Sequence, residues 1–184
     1  FRTCDKIEYE AVIRKAVHPA EGRIRMGETV DAVSRAYGND AVLVTDVGQQ
    51  QMNAARYFGF RRSRSIVTSG GLGTMGFGLP AAIGAKLGAP DREVVLFVGD
   101  GGLQMTIQEL GTIFQSHVPV KIVLLNNSFL GMVRQWQELF YDHRYSFTEM
   151  VNPDFGLIAR GNGLSYRCVE RREELGEAIA AMKA

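Results

Sequence analysis

The sequence predicts an α/β fold in which helices cover both faces of a mostly parallel sheet, a three-layer α/β/α arrangement. Residues Glu93–Val98 form an apolar run that is short and rich in β-branched residues, which is typical of a strand buried on both faces. Apolar residues then recur at spacings of three and four over Leu103–Phe114, the pattern of a helix that buries one stripe. A second apolar run, Val120–Leu125, follows at a distance that accommodates one helix and one returning strand.

The rest of the chain continues this alternation of strands and helices. Residues 1–25 are predicted to be a linker from a preceding domain, and residues 26–184 a single domain. In chain order we expect a helix over Glu28–Tyr37, strands over Ala41–Val47 and Ser65–Thr68, a small-residue helix from Leu79, a helix over Met132–Phe140, a short helix ending at Ala159, a fifth strand over Leu164–Val169 and a final helix over Arg172–Met182.

Polar residues follow two of the predicted strands at the point where each strand ends. Asp100 stands between glycines directly after the buried strand, and Asn126-Asn127 follow the next one. In open parallel sheets, ligands bind at this edge, and the N–H groups of a helix start meet phosphate. Carboxylate and amide oxygens suit Mg²⁺ or Ca²⁺. The pattern therefore predicts that Asp100 and the asparagine pair share a site for a divalent cation.

Two further segments are candidates for ligand contact. Asp46–Gln51 follows the first strand with small and amide residues, although an ordinary polar turn explains it equally well. Gly70–Gly78 holds five glycines, a density that lets the backbone approach a ligand or adopt positive φ. The spacing Gly71-x-Gly73-x-x-Gly76, with Asp100 24 residues later, also fits a dinucleotide fingerprint. A dinucleotide-binding module without catalysis stays an alternative, but it leaves Asn126-Asn127 unused.

Composition narrows the class of partner. The formal net charge of +1 argues against a broad electrostatic footprint for nucleic acid, and no apolar run approaches membrane-spanning length. The three histidines show no metal-ligand spacing. Cys4 and Cys168 are expected to be free thiols in a reducing compartment, with the bacterial cytoplasm as the default location.

The motifs resemble those of a known family. Gly99-Asp100-Gly101, followed at this spacing by Asn126-Asn127, resembles the motif of thiamine-diphosphate (ThDP)-dependent enzymes. Together with it, Ser69–Gly76 and Leu130–Tyr141 resemble the catalytic large subunit of acetolactate synthase, over a stretch from about Ile24 to Met182. The resemblance implies the ThDP-binding fold and, within that family, the C-terminal domain that binds the diphosphate.

The resemblance also implies roles for single residues. The side chains of Asp100 and Asn127 and the backbone carbonyl of Phe129 would hold Mg²⁺. Met75 would wedge between the two cofactor rings, and Trp136 would shape the mouth of the substrate pocket; these two are the expected catalytic residues. The expected cofactor contacts, besides Met75 and Asn127, are Gly48, Gln49, Gln50, Gly73, Gly99, Gly101, Gly102, Met105 and Met132. Gln50 departs from the family, in which this position is often histidine.

The implied activity is the decarboxylation of pyruvate and its condensation with a second 2-ketoacid, an early step of branched-chain amino-acid synthesis. A homodimer or tetramer is expected, with a possible regulatory small subunit. The resemblance also implies FAD on a middle domain and a glutamate on a pyrimidine-binding domain. Since neither domain matches any part of this sequence, we expect the isolated fragment to be inactive. Because the sequence stops after a predicted helix, whereas the family has one further strand, we also expect the sheet to lack that strand. The nearest alternative is another ThDP-dependent 2-ketoacid decarboxylase, oxidase or carboligase.

Overall fold

A parallel sheet lies at the centre of the molecule, for which a computed structural model describes residues 2–184. Its strands occur in the order β2-β1-β3-β4, and each pairs with its neighbours in parallel. All four predicted strands before residue 126 are thereby confirmed. The strands are β1 (Val42–Thr45), β2 (Ile66–Thr68), β3 (Val94–Gly99) and β4 (Lys121–Leu125).

Helices connect the strands and cover both faces of the sheet. A π-helical segment, Tyr9–Ile13, interrupts the first helical stretch. The helices are α1 (Arg2–Glu8), α2 (Arg14–Val17), α3 (Met26–Ala36), α4 (Gln49–Tyr57), α5 (Gly78–Gly88), α6 (Asp100–Met105), α7 (Glu109–Ser116), α8 (Gly131–Phe140), α9 (Phe155–Gly161) and α10 (Arg172–Lys183).

The strands divide the core into two apolar clusters because successive side chains point to opposite faces of a sheet. Leu96 belongs to the cluster formed with α5, α7 and α9, whereas its neighbour Phe97 belongs to the cluster formed with α3, α4 and α10. Both side chains are fully buried. Burial of β3 on both faces is the reason that its sequence is apolar throughout, and it confirms the predicted three-layer arrangement.

Two predictions from the sequence are wrong. Leu164–Val169 is not a strand, because none of the residues 2–184 pairs with it and a strand exists only through its ladder hydrogen bonds. The predicted single helix over Leu103–Phe114 is two helices, α6 and α7. The backbone leaves the helix at Thr106 (φ −135°), whose hydroxyl instead donates to the carbonyl of Gly76 (3.0 Å).

The surface agrees with the composition. Cys4 and Cys168 are free thiols, as predicted, and both are exposed. Across residues 2–184, we find no helix with the length and apolar character that a membrane span requires. The division between a linker and a domain at residue 25 stays a prediction.

A buried hydroxyl makes the stability of this fold sensitive to alkaline pH. Tyr37 is 8% exposed, and its hydroxyl has no hydrogen-bond partner among the described residues. Burial, assisted by the charge of Glu93, raises the pKa of Tyr37 from 10.0 to about 12. The pKa of Tyr37 is therefore higher in the folded chain than in the unfolded chain, and the neutral hydroxyl contributes to the free energy of unfolding. This contribution is fully present below pH 10 and is lost as the pH rises towards 12.

We therefore predict that Tyr37→Phe keeps the free energy of unfolding at pH 7 or raises it by up to about 1 kcal/mol, since it removes an unpaired polar group. Between pH 10 and 12 the variant should become more stable relative to the original chain, as shown by the free energies of unfolding measured in urea. Tyr141→Phe, at an exposed tyrosine, is the control. A loss of stability at pH 7 in Tyr37→Phe would show that the hydroxyl has a partner.

Candidate functional site

The carboxyl edge of the sheet brings the two polar motifs together. Gly99, the last residue of β3, pairs with Leu125, the last residue of β4. Asp100 and Asn126 therefore leave the sheet side by side, as the sequence predicted. From these points the chain enters α6 directly and reaches α8 through the turn 126–130.

Asp100 is held in one orientation by three hydrogen bonds. Its side chain is 2% exposed. The Oδ2 atom accepts from the backbone N–H of Ser128 (2.8 Å) and from Nδ2 of Asn152 (2.7 Å), whereas Oδ1 accepts from a single donor among residues 2–184, the N–H of Gly101 (3.1 Å). A buried carboxylate needs charge compensation or several donors. All three donors are neutral N–H groups, so they orient the carboxylate without compensating its charge.

The turn after β4 contains the other two predicted metal ligands, Asn127 and Phe129. Ser128 has φ 58°, and Oδ1 of Asn127 accepts from the N–H of Phe129 (3.1 Å). Phe129 forms an antiparallel bridge with Glu149. In this bridge the N–H of Leu130 donates to the carbonyl of residue 148, and the N–H of residue 150 donates to the carbonyl of residue 128. Phe129 thus occupies the non-hydrogen-bonded position, and its carbonyl oxygen takes no part in this ladder.

Aromatic rings also hold this turn in place. The guanidinium of Arg134 lies over the ring of Phe129 (4.4 Å to the centroid) and over that of Tyr145 (4.0 Å). Cation–π contacts of this kind contribute about 0.5–1 kcal/mol at exposed sites. Arg134 therefore ties the predicted metal-binding turn to the first turns of α8.

Three helices begin at this edge without a side-chain cap. They are α4 after β1, α6 after β3 and α8 after β4. Gly48, which precedes α4, has φ 148°, a conformation that side chains oppose. Uncapped N–H groups and the positive ends of the helix dipoles favour an anion such as a diphosphate.

Several predicted glycines are needed for packing within the protein itself. A Cβ atom on Gly101 would lie 2.7 Å from Cδ2 of Leu130, and one on Gly102 would collide with the carboxylate of Asp46. A Cβ atom on Gly131 would collide with the side chain of Gln49. The first turns of α6 and α8 therefore approach β1 and α4 as closely as they do only because these positions are glycine.

Asp46 organises the loops at this edge, a role that the sequence did not indicate beyond placing Asp46 at the start of the candidate segment Asp46–Gln51. Its side chain is fully buried, and its carboxylate accepts from the N–H groups of Val47 (2.8 Å), Gly76 (3.2 Å) and Gly78 (2.7 Å). It thus fixes the end of the glycine-rich loop to the end of β1. Only the position of an aspartate directly after a buried strand hinted at this role.

The glycine-rich loop places Met75 beside the Asp100 motif. Gly73 has φ 61°, and nothing lies within 4 Å of a Cβ atom built on it. The methyl carbon of Met75 lies 3.6 Å from a Cβ position on Gly101. Met105 is 52% exposed at the end of α6, and its Cβ lies 3.1 Å from a Cβ position on Gly76. Met75 on the loop and Met105 on α6 therefore lie where the loop meets this helix.

The glutamines after β1 also belong to this edge. Gln50 is 5% exposed, and its amide lies against Gly48 and Gly99. Gln49 donates from Nε2 to Oε1 of Gln135 on α8 (3.0 Å). The predicted contacts Gly48, Gln49, Gln50 and Gly99 are thus brought together between the ends of β1 and β3.

An open cleft of about 480 Å³ lies between this edge and α8. Its walls include Gln49, Asn127, Phe129 and Arg134. Trp136 is 58% exposed, packs at a tilt against Phe140 (5.1 Å between ring centroids) and does not line the cleft. Met132 is half-buried in the first turn of α8. The roles expected for Trp136 and Met132 stay predictions.

The topology opposes the dinucleotide alternative. A dinucleotide fingerprint needs the glycine loop and the ribose-binding acid on neighbouring strands. Here the glycine loop follows β2, Asp100 follows β3, and β1 lies between them. Asp100 is also engaged by Ser128 and Asn152, so that its carboxylate faces the turn after β4.

The predicted ligands at this edge are of one chemical kind, oxygen atoms from a buried carboxylate, an amide and a backbone carbonyl. No cluster of three or more histidine, cysteine, aspartate or glutamate residues that would hold a metal occurs within residues 2–184. Oxygen donors of this kind are typical of Mg²⁺ sites rather than of zinc sites. The parallel sheet and the helix starts at its carboxyl edge therefore define a class of proteins that bind a phosphate-containing cofactor at this edge.

Residues 46–184 match the family described as "Thiamine pyrophosphate enzyme, C-terminal TPP binding domain", and the chain belongs to that family. This membership confirms the ThDP cofactor and the fold predicted from the motifs.

Curated relatives agree with the acetolactate synthase resemblance. The chain is 47% identical over 162 residues to the acetolactate synthase large subunit of Lactococcus lactis, covering 88% of this chain and 28% of the relative. It is 49% identical to the Escherichia coli isozyme 2 large subunit (78% and 26%) and 48% identical to the mitochondrial catalytic subunit of Saccharomyces cerevisiae (78% and 21%). The chain thus spans about a quarter of the length of these relatives.

A solved structure shares the fold. The ThDP-dependent 4-hydroxybenzoylformate decarboxylase of Rhodococcus jostii superposes with a TM-score of 0.81 at 26% identity, covering 89% of this chain and 31% of that protein.

The role of Asp46 yields a prediction about the glycine-rich loop. Asp46→Asn turns an acceptor into an amide that faces buried N–H donors, so we expect the free energy of unfolding to fall by about 1–3 kcal/mol. Limited proteolysis between residues 69 and 77 should become faster. Asp40→Asn is the matched control, because Asp40 forms an exposed ion pair with Arg62 (2.8 Å). This substitution should lower the free energy of unfolding by no more than about 1 kcal/mol. Equal effects in both variants would contradict the role assigned to Asp46.

Proposed function

We propose that this domain binds the diphosphate of ThDP through Mg²⁺ held by Asp100, Asn127 and the backbone carbonyl of Phe129. The observation that carries the proposal is the meeting of the two motifs at the ends of β3 and β4. The oxygen of an amide has two lone pairs, so Asn127 Oδ1 accepts from Phe129 and keeps one for a cation. The uncapped starts of α4, α6 and α8 supply N–H groups for the phosphate oxygens.

ThDP supplies an electron sink for the carbanion chemistry of 2-ketoacids, and the protein supplies orientation and electrostatics. Met75, on the glycine-rich loop, brings its methyl group close to Gly101, and we assign to it the shaping of the bound cofactor. The carbonyl of Gly73, in an open part of that loop, is assigned as an acceptor for the cofactor's amino group. Gly48, Gln49, Gln50, Gly99, Gly102, Met105 and Met132 would complete the surroundings of the cofactor.

We further propose that the activity is that of acetolactate synthase, with pyruvate and a second 2-ketoacid as substrates. Identities of 47–49% to the large subunits of Lactococcus lactis and Escherichia coli support this choice. The proposal includes FAD, a homodimer or tetramer, and other domains that supply a catalytic glutamate. Exposure of Trp136 and Phe140 on α8 agrees with a surface that further protein or substrate covers. The second candidate is a different ThDP-dependent 2-ketoacid enzyme, favoured by the fold shared with the decarboxylase of Rhodococcus jostii.

The first experiment tests the metal ligands. Calorimetry on the chain in its full reading frame should detect ThDP in the presence of Mg²⁺ and no comparable binding of NAD. Asp100→Asn removes the charge that the cation needs and should weaken Mg²⁺ binding at saturating ThDP by about 100-fold or more. Asp91→Asn is the control, because Asp91 is exposed at the opposite end of β3. Preferential binding of NAD, or unchanged Mg²⁺ affinity in Asp100→Asn, would refute the assignment.

The second experiment tests the reaction. Incubation of the same protein with pyruvate alone should yield acetolactate, and addition of 2-ketobutyrate should yield acetohydroxybutyrate as well. Trp136→Leu should change the ratio of these two products. Formation of acetaldehyde or acetate without any condensation product would favour the decarboxylase or oxidase alternative.

A further inference from the structure

Asn152, on the loop between α8 and α9, reaches into the centre of the two motifs. Its Nδ2 atom donates to Oδ2 of Asp100 (2.7 Å) and to Oδ1 of Asn126 (2.9 Å). Its Oδ1 atom accepts from Nε2 of Gln104 on α6 (2.9 Å). One half-buried amide thus links the strand ends β3 and β4 to α6.

The direction of this network is determined by the backbone. The N–H of Ser128 donates to Oδ1 of Asn126 (3.1 Å), so the atom that Asn126 presents is its oxygen. Asp100 is a carboxylate and only accepts. Asn152 must therefore turn its NH₂ group towards both of them and its oxygen towards Gln104, whose Nε2 also reaches the backbone carbonyl of Asp100 (3.3 Å).

The loop that carries Asn152 is anchored on both sides. On one side, Met150 donates to the carbonyl of Ser128 (2.9 Å), next to the bridge between Phe129 and Glu149. On the other side, Asp154 caps α9 by accepting from Leu157 (2.9 Å). Asn152 is therefore held firmly at a fixed distance from Asp100, as a residue that orients a metal ligand must be.

We propose that Asn152 is a positioning residue for the metal site and that Gln104 sets the direction of its amide. The inference rests on the proposed function. By holding Oδ2 of Asp100, Asn152 restricts the carboxylate to one rotamer and leaves Oδ1 with a single protein donor, Gly101. Groups that orient a metal ligand typically change metal affinity 10–100-fold when they are removed.

The test uses Mn²⁺ as a spectroscopic replacement for Mg²⁺. The chain in its full reading frame is titrated with Mn²⁺ at saturating ThDP, and free Mn²⁺ is followed by electron paramagnetic resonance. Asn152→Leu keeps the volume but loses the hydrogen bonds, and its Mn²⁺ dissociation constant should rise about tenfold. Turnover lost by this variant should return at excess Mg²⁺. Asn162→Ala is the control, because the amide of Asn162 donates to a carbonyl of its own helix (Ile158, 2.9 Å) and not to Asp100 or Asn126, so this variant should leave the constant unchanged.

Gln104→Glu provides a second test, in which the added charge and the proposed role of Gln104 change Mn²⁺ affinity in opposite directions. This test remains usable if Asn152→Leu does not fold. The added negative charge alone would tighten cation binding. Loss of the donor that orients Asn152 should instead weaken Mn²⁺ binding by several-fold. Tighter binding in Gln104→Glu, or unchanged binding in Asn152→Leu, would overturn the role of Asn152 alone. Absence of Mn²⁺ and ThDP binding by the unaltered chain would instead overturn the proposed function, and this inference with it.

Discussion

Parallel pairing of β3 with β4 is the constraint on which the rest of the structure depends. The register that sets Gly99 against Leu125 ends both strands at one level, so that an aspartate and two asparagines emerge as neighbours. A shift of one residue would exchange the faces on which Leu96 and Phe97 lie, and each would lose the apolar cluster into which it packs. The stability of the core and the geometry of the candidate site therefore have the same origin.

Close approach of the helix starts is the second requirement. Three helices converge on the carboxyl edge, and their first turns fit together only because Gly101, Gly102 and Gly131 lack side chains. The buried carboxylate of Asp46 fastens the glycine-rich loop to the same edge. In the proposed function, backbone N–H groups rather than charged side chains would surround the diphosphate, which agrees with the small net charge of the chain.

The sequence was sufficient for those parts of the fold that rest on local patterns. Four strands, the three layers and the neighbourhood of Asp100 and Asn127 follow from apolar runs and from the level at which parallel strands end. Contacts between distant residues carry no local pattern, which is why Asp46 and Asn152 were not predicted.

The errors have a related cause. Thr106 leaves the helix because its hydroxyl binds Gly76, 30 residues earlier. Leu164–Val169 has the composition of a strand, but composition does not supply a pairing partner. Each of these features depends on what the segment meets in three dimensions.

The proposed metal site is tested most directly by a crystal structure of the protein grown with ThDP and Mn²⁺, in which anomalous scattering locates the metal. We predict a manganese peak about 2 Å from a carboxylate oxygen of Asp100, from Oδ1 of Asn127 and from the carbonyl oxygen of Phe129. A manganese ion bound elsewhere, or a diphosphate held at this edge without contact between the metal and Asp100, would contradict the proposed site.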